Sequence, residues 1–182
     1  MIQAFLAGYL LGSLPFAFWF GALRGKNLLV EGTKDPGGLN AFRVLGPVPG
    51  LMVLVLDGFK GVLAVALGEF LAQDPLGGLL AGVGATWGHA FSPWLLFRGE
   101  RAIAPGLGVL FAVDPRALLA VLCLFGFLFL AFRHPVRAAF GAALALPLVT
   151  SFFGKTPAHL LFGLGVGLGV ALRDLKDWTR GP

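Results

Sequence analysis

The chain has 182 residues, 57% of them apolar and only 13% charged, with fourteen Lys and Arg against nine Asp and Glu for a formal charge of +5. A mean hydropathy of +0.86 leaves too little polar surface to face water on all sides, because a soluble domain carries about 25% charged residues. An ordinary soluble enzyme, a disordered chain and a disulfide scaffold are excluded, and basic residues scattered singly between apolar stretches make no face for nucleic acid; a single polytopic all-α membrane domain over residues 1–182 remains.

At about 1.5 Å per residue, roughly 20 apolar residues cross a hydrocarbon core of about 30 Å. The first segment on this ruler, Ile2 to Leu23, has no basic residue before it and is too long for the core of a signal peptide, so it is expected to stay as a transmembrane helix. The connection Arg24 to Pro47 then carries Gly32-Thr33-Lys34-Asp35-Pro36-Gly37-Gly38-Leu39-Asn40-Ala41-Phe42-Arg43. Glycines such as Gly37 and Gly38 let backbone N–H groups approach an anion, and Lys34, Asn40 and Arg43 donate hydrogen bonds to phosphate oxygens. A solvated Gly/Pro turn reads alike on these residues alone.

The second span, Val48 to Ala72, contains Asp57 and Lys60, three apart and hence on one helix face. Charges at membrane depth are expensive, so they pair or line a polar cavity. The third span, Leu76 to Leu96, holds His89 near its end and runs into Arg98, Glu100 and Arg101. A histidine there orients or deprotonates a hydroxyl, and arginines hold phosphate oxygens bidentately. The plainer readings are a structural ion pair for Asp57 and Lys60, a helix-to-helix hydrogen bond for His89, and interfacial anchoring for the arginines.

Ile103 to Val113 is apolar but only about half a span long; Arg116 to Phe132, with the lone Cys123, then Val136 to Phe152 and Ala158 to Leu172 complete the set. The basic residues arbitrate the short stretch. If it crosses, eleven of them fall on one side and two on the other, with Lys60 inside a span; if it re-enters, the split is eight against five. Seven membrane segments are therefore expected, with the N-terminus outside and the C-terminus cytoplasmic. A segment that short needs protein or a water-filled cavity over its ends, and Gly78/Gly82, Gly84/Gly88, Gly163/Gly167 and Gly165/Gly169 have the spacing of close helix packing.

No His is followed by Asp after four intervening residues, since the fifth residue after His89 is Trp94 and after His134 is Ala139. No P-loop, zinc spacing or Gly-x-Ser-x-Gly elbow is present, and neither a metal nor a cofactor is expected.

Taken together, the clusters resemble the bacterial acyl-phosphate:glycerol-3-phosphate acyltransferase family, over nearly the whole chain. A Gly-Ser-x-Pro-x first helix is matched by Gly12-Ser13-Leu14-Pro15-Phe16, and a loop like Gly-Ser-Gly-Asn-x-Gly-Ala-Thr-Asn-x-x-Arg by Gly32 to Arg43. The family's Asp-x-x-Lys-Gly is met by Asp57 to Gly61, and its Gly-His-x-Phe-Pro-x-Phe-Leu-x-Phe-Lys-Gly-Gly-Lys-Gly-Val-Ala-Thr resembles Gly88-His89 through Pro105. Thr33 keeps the hydroxyl of the family's Ser, and Arg98 and Arg101 stand where Lys is usual. Asp35, Leu39, Glu100, Ala102 and Pro105 depart from the pattern.

The resemblance implies transfer of a fatty acyl group from acyl phosphate to the 1-hydroxyl of glycerol 3-phosphate, giving lysophosphatidate and phosphate, by a multi-pass enzyme of the bacterial inner membrane whose site faces the cytoplasm. Thr33, Lys34, Gly37, Gly38, Arg43, Lys60, Arg98 and Arg101 would then hold the phosphates, His89 and Asn40 would take part in catalysis, and Asp57 would support them. The partners implied are the two small-molecule substrates and the bilayer. A diverged relative that binds a lipid or phosphorylated ligand, or uses another acceptor, is the alternative reading.

Overall fold

The computed structural model describes residues 1–177, with side chains described through Arg173; Lys176 and Arg180, counted above among the basic residues, lie outside the described side chains. Among the described residues the helices in chain order are α1 (Ile2–Gly12), α2 (Phe16–Ala22), α3 (Gly38–Leu45), α4 (Pro47–Ala72), α5 (Pro75–Ala90), α6 (Ile103–Val113), α7 (Pro115–Phe132), α8 (Pro135–Gly154) and α9 (Pro157–Asp177).

Proline writes much of this punctuation. Helices α4, α5, α7, α8 and α9 all begin on one, at the position where the missing N–H would have had no helical partner and the fixed φ already suits the helix. Asp74 and Asp114 cap two of these starts by accepting hydrogen bonds from the backbone N–H groups of Leu76 and Arg116.

Four stretches are long and apolar enough to cross a membrane: Ile2–Ala22, Pro47–Ala72, Pro115–Phe132 and Pro135–Gly154. Ile103–Val113 and Pro157–Arg173 are shorter apolar helices. Helix α5 is the centre of the bundle, packed against α1, α4, α6 and α9. Its glycines make that possible: a Cβ on Gly84 or Gly88 would strike the α1 backbone at Phe5 or Tyr9, so α1 and α5 meet backbone to backbone. Gly163 and Gly167 meet α8 in the same way, whereas Gly165 and Gly169 receive side chains of α5. Helix α7 is peripheral, with Leu119, Phe127 and Leu130 exposed as a lipid-facing stripe.

Three expectations change on folding. The first segment is not one helix but breaks across Ser13, Leu14 and Pro15, because proline offers no N–H and crowds the carbonyl four residues back. The third ends at Ala90 rather than Leu96; Pro93 biases Ser92 towards extended backbone, and Ser92 adopts φ −66 and ψ 122. The 24–47 connection is not all loop, since it folds α3 against α4. Ala41 of α3 joins Ala17, Leu28 and Val53 in a small core, and Gly50 lets α4 approach the α3 backbone at Phe42.

Candidate functional site

The break in the first segment takes the Leu14 carbonyl out of the helical ladder, and Lys60 of α4 donates to it from Nζ at 2.9 Å. The same ammonium lies 2.8 Å from Asp57 Oδ1, one turn back on α4, and 2.8 Å from His89 Nδ1 on α5. The ammonium thus hydrogen-bonds to Leu14 and His89 and forms a close ion pair with Asp57, with the Phe16 ring 5.5 Å away. Lys60 is 2% exposed. Lys60, expected from sequence to hold a phosphate, here contacts His89.

That contact sets the histidine. An ammonium has no lone pair, so His89 Nδ1 accepts and the ring proton belongs on Nε2. His89 is buried, and Nε2 makes no hydrogen bond in the structure. The Glu100 Oε2 is 3.4 Å from it, beyond ordinary hydrogen-bond length. The Glu100 N–H donates to the His89 carbonyl at 3.2 Å, which ties the loop between α5 and α6 to the end of α5.

The Glu100 carboxylate reaches the N-terminus of α3. A backbone hydrogen bond from Gly38 meets it, and it lies so close to Gly37 that a Cβ there would overlap it. Burial pushes the Glu100 carboxyl up to about 7, against the opposing pull of Arg101, the Gly38 N–H and Lys60. This is the anion cradle of the Gly-rich loop, built as a helix N-terminus and occupied by a side chain from another loop.

Asn40, for which a catalytic part was expected, lies on α3 and bonds to the loop that precedes it. It is 1% exposed, and its Oδ1 accepts from the Thr33 N–H at 2.8 Å. Its Nδ2 lies within donating distance of the Leu28, Glu31 and Asp35 carbonyls, at 3.0, 3.0 and 2.8 Å. Asn40 staples the loop that precedes α3. Gly32, with φ +62, turns so tightly there that a Cβ would meet the Asn40 amide.

Thr33, Lys34, Arg43 and Arg98 are exposed, and none of their side chains forms a hydrogen bond or ion pair among the described residues. None of them bonds to the buried centre. Arg101 instead lines a groove of about 480 Å³ between α4 and α6, whose wall is apolar (Leu39, Leu54, Ile103, Ala104 and Leu107) and whose polar lining is Glu100 and Arg101. Gly58 and Gly108 cross closely at the groove, so the short α6 passes α4 with little side-chain bulk between them.

Sequence reasoning missed three supports. Arg173 of α9 donates from Nε to the Ala90 carbonyl at 2.6 Å and from Nη2 to the carbonyls of Ala90 and Phe97, capping the end of α5 with a cation. Ser13 accepts from Trp94 Nε1 at 2.9 Å, and its carbonyl accepts from Ser92 Oγ at 2.7 Å. Tyr9 donates to the Phe91 carbonyl at 2.7 Å. Only the Gly-Ser-x-Pro stretch carried a sequence signal for any of these.

Asp57, His89 and Glu100 offer three metal-ligand atoms within 4.8 Å of one another. The space between the first two is taken by the Lys60 ammonium, 2.8 Å from each, so the cluster's own cation stands where a metal would have to sit.

Comparison with known proteins finds relatives along nearly the whole chain. Residues 2–180 match the family model described as glycerol-3-phosphate acyltransferase. A glycerol-3-phosphate acyltransferase of Synechococcus sp. (strain JA-3-3Ab) is 38% identical over 183 residues, covering 98% of this chain and 88% of that protein. One from Symbiobacterium thermophilum is 32% identical, covering 99% and 90%. Among solved structures, the glycerol 3-phosphate form of PlsY, an integral membrane glycerol 3-phosphate acyltransferase, superposes with a TM-score of 0.85 at 26% identity, covering 98% of this chain and 90% of that one. Its lysophosphatidic acid form matches with a TM-score of 0.84.

Proposed function

The chain belongs to the glycerol-3-phosphate acyltransferase family, and on that premise we propose that it transfers a fatty acyl group from acyl phosphate to the 1-hydroxyl of glycerol 3-phosphate. The observation that carries this reading is the junction of an anion cradle, at Gly37 and Gly38, with the mouth of an apolar groove at Arg101. A phosphorylated head and a fatty chain need those two environments side by side.

In the reaction, the hydroxyl oxygen attacks the carbonyl carbon of the mixed anhydride. The bond from that carbon to the phosphate oxygen breaks, and phosphate leaves with the electron pair and the hydroxyl proton, giving lysophosphatidate and hydrogen phosphate. The leaving group is already activated, so the protein contributes orientation and charge neutralisation. His89 donates from Nε2 to a bound anion or to the oxygen that gains charge, and Lys60 with Asp57 holds it in that tautomer. The backbone N–H at Gly38 and the guanidinium of Arg101 hold phosphate oxygens in the cradle. Thr33, Lys34, Arg43 and Arg98 form the outer ring that attracts the second phosphate, and Asn40 keeps the loop in shape. The acyl chain lies along α4 and α6.

We also retain seven membrane segments for the native topology: the broken α1–α2 pair, α4, α5, the short α6, α7, α8 and α9. The N-terminus is outside and the site faces the cytoplasm of a bacterial inner membrane, where a water-soluble acceptor and a membrane-borne donor meet.

The test is to purify the chain in detergent and measure phosphate release from acyl phosphate with and without glycerol 3-phosphate. Release that depends on the acceptor, with lysophosphatidate formed in equal amount, is the expected result. Release indifferent to the acceptor removes the assignment.

A further inference from the structure

The cradle at the start of α3 already holds an anion. The Glu100 carboxylate takes the Gly38 N–H and rests against Gly37, where even a methyl group has no room. From α5, His89 Nε2 lies 3.4 Å from it and makes no hydrogen bond. Arg101 and Lys60 both pull on its charge. These are the donors a phosphate would use, and two anions cannot share them at ordinary contact distance without a large repulsion.

We infer that Glu100 is a specificity-determining residue that occupies the phosphate cradle as a resident anion, so that a ligand phosphate binds only by displacing its carboxylate. This rests on the proposed function for the location of the cradle and adds a requirement to it. Glu100 itself borders the apolar groove, so cradle and groove are adjacent. A ligand must therefore bring more than charge to the site. A phosphate ester with an apolar chain gains burial in the groove as well as the cradle's donors, whereas a small phosphate offers only the exchange of one anion for another. Glu100 in this way selects for the long-chain acyl phosphate over free phosphate, which would otherwise accumulate as product and fill the cradle.

The probe is inorganic phosphate, titrated by calorimetry into the full chain in detergent at constant ionic strength and pH 8, for the wild type, Glu100→Gln and Glu100→Ala. Glutamine keeps the volume and removes the charge; alanine removes both, so loss of fold in one does not silence the test. The expected result is that both variants bind phosphate about tenfold more tightly than the wild type or better, equivalent to about 1.4 kcal/mol, and that phosphate becomes a correspondingly stronger inhibitor of acyl transfer. Equal affinity in all three proteins overturns the role of Glu100 while leaving the cradle in place. Weaker binding in the variants also overturns it, since Glu100 would then be helping to hold the phosphate. Failure of every protein, variants included, to bind phosphate overturns the cradle itself and with it the proposed site.

Discussion

His89 Nδ1 accepts from the Lys60 ammonium at 2.8 Å, across 29 residues of sequence and between two membrane helices. This one contact decides which nitrogen of the imidazole carries the proton. With Nδ1 occupied, Nε2 must carry the proton, and it is Nε2 that faces the cradle. The Asp57–Lys60 pair, costly at membrane depth, is best understood as the holder of that tautomer.

Replacing Lys60 by Met keeps an apolar side chain of similar length and frees His89 Nδ1. The expected outcome is a fall in kcat of about 10² or more, as on removal of a preorganised donor, with KM for glycerol 3-phosphate much less affected. His89→Ala should fall at least as far. Steady-state kinetics on protein of normal folded yield checks both, and a wild-type kcat in either would remove the axis from the mechanism.

Asn40→Ala leaves buried carbonyls and an N–H without their partner, at a cost of about 1–3 kcal/mol for an unmet buried group. Limited proteolysis should open the 28–36 stretch before the helices, and the thermal midpoint should drop. Arg43→Ala, at an exposed position, should instead lower activity with the midpoint unchanged. A reversed pattern would return the catalytic role to Asn40.

Gly37→Ala tests the cradle from its floor. The added methyl meets the end of the Glu100 side chain and not backbone, so the protein should fold. The place for any anion is nevertheless filled, and KM for the phosphorylated substrates is expected to rise by about tenfold or more. Unchanged KM values would show that substrate phosphates bind elsewhere.

Glu100 also sets a pH dependence of stability. Its folded value near 7 lies above the ordinary 4.5, so between these limits the native state holds more protons than the unfolded one, and the stability linked to Glu100 falls as pH rises through about 7. The groups that face it are His89 from α5, Asp57 and Lys60 from α4, Arg101 in its own loop and the Gly38 N–H of α3. Thermal unfolding of the wild type relative to Glu100→Gln, from pH 5 to 8, should show the wild type losing ground with rising pH. A constant difference would mean that Glu100 does not titrate in this range.

Topology has its own readout, because Cys123 is the one cysteine in the chain. In a Cys123→Ser background, Lys34→Cys and Lys155→Cys, both at exposed positions, should be labelled by a membrane-impermeant thiol reagent from opposite sides of the bilayer. Labelling from the same side would reduce the number of crossings between them.

Composition and hydropathy were enough to identify an all-helical membrane chain, since a stretch of apolar residues has few other stable environments. Spacing alone placed Asp57 and Lys60 on one face, and the Gly-rich loop, His89 and Arg101 stood out as candidates because polar groups are rare in this chain. What those groups do was settled by contacts between distant segments. Asn40 looked like a ligand donor and became a loop staple once Leu28, Glu31 and Asp35 turned their carbonyls towards it. Lys60 reaches the ring of His89 and the carbonyl of Leu14, which is freed by a proline break one helix away. Glu100, the lone acid of its loop, became the anion of a helix that begins some 60 residues earlier. A pattern along the chain records which residues are able to bond; which bonds they make depends on the orientation of helices around α5, and that is set by glycine contacts whose geometry exists only after the bundle has closed.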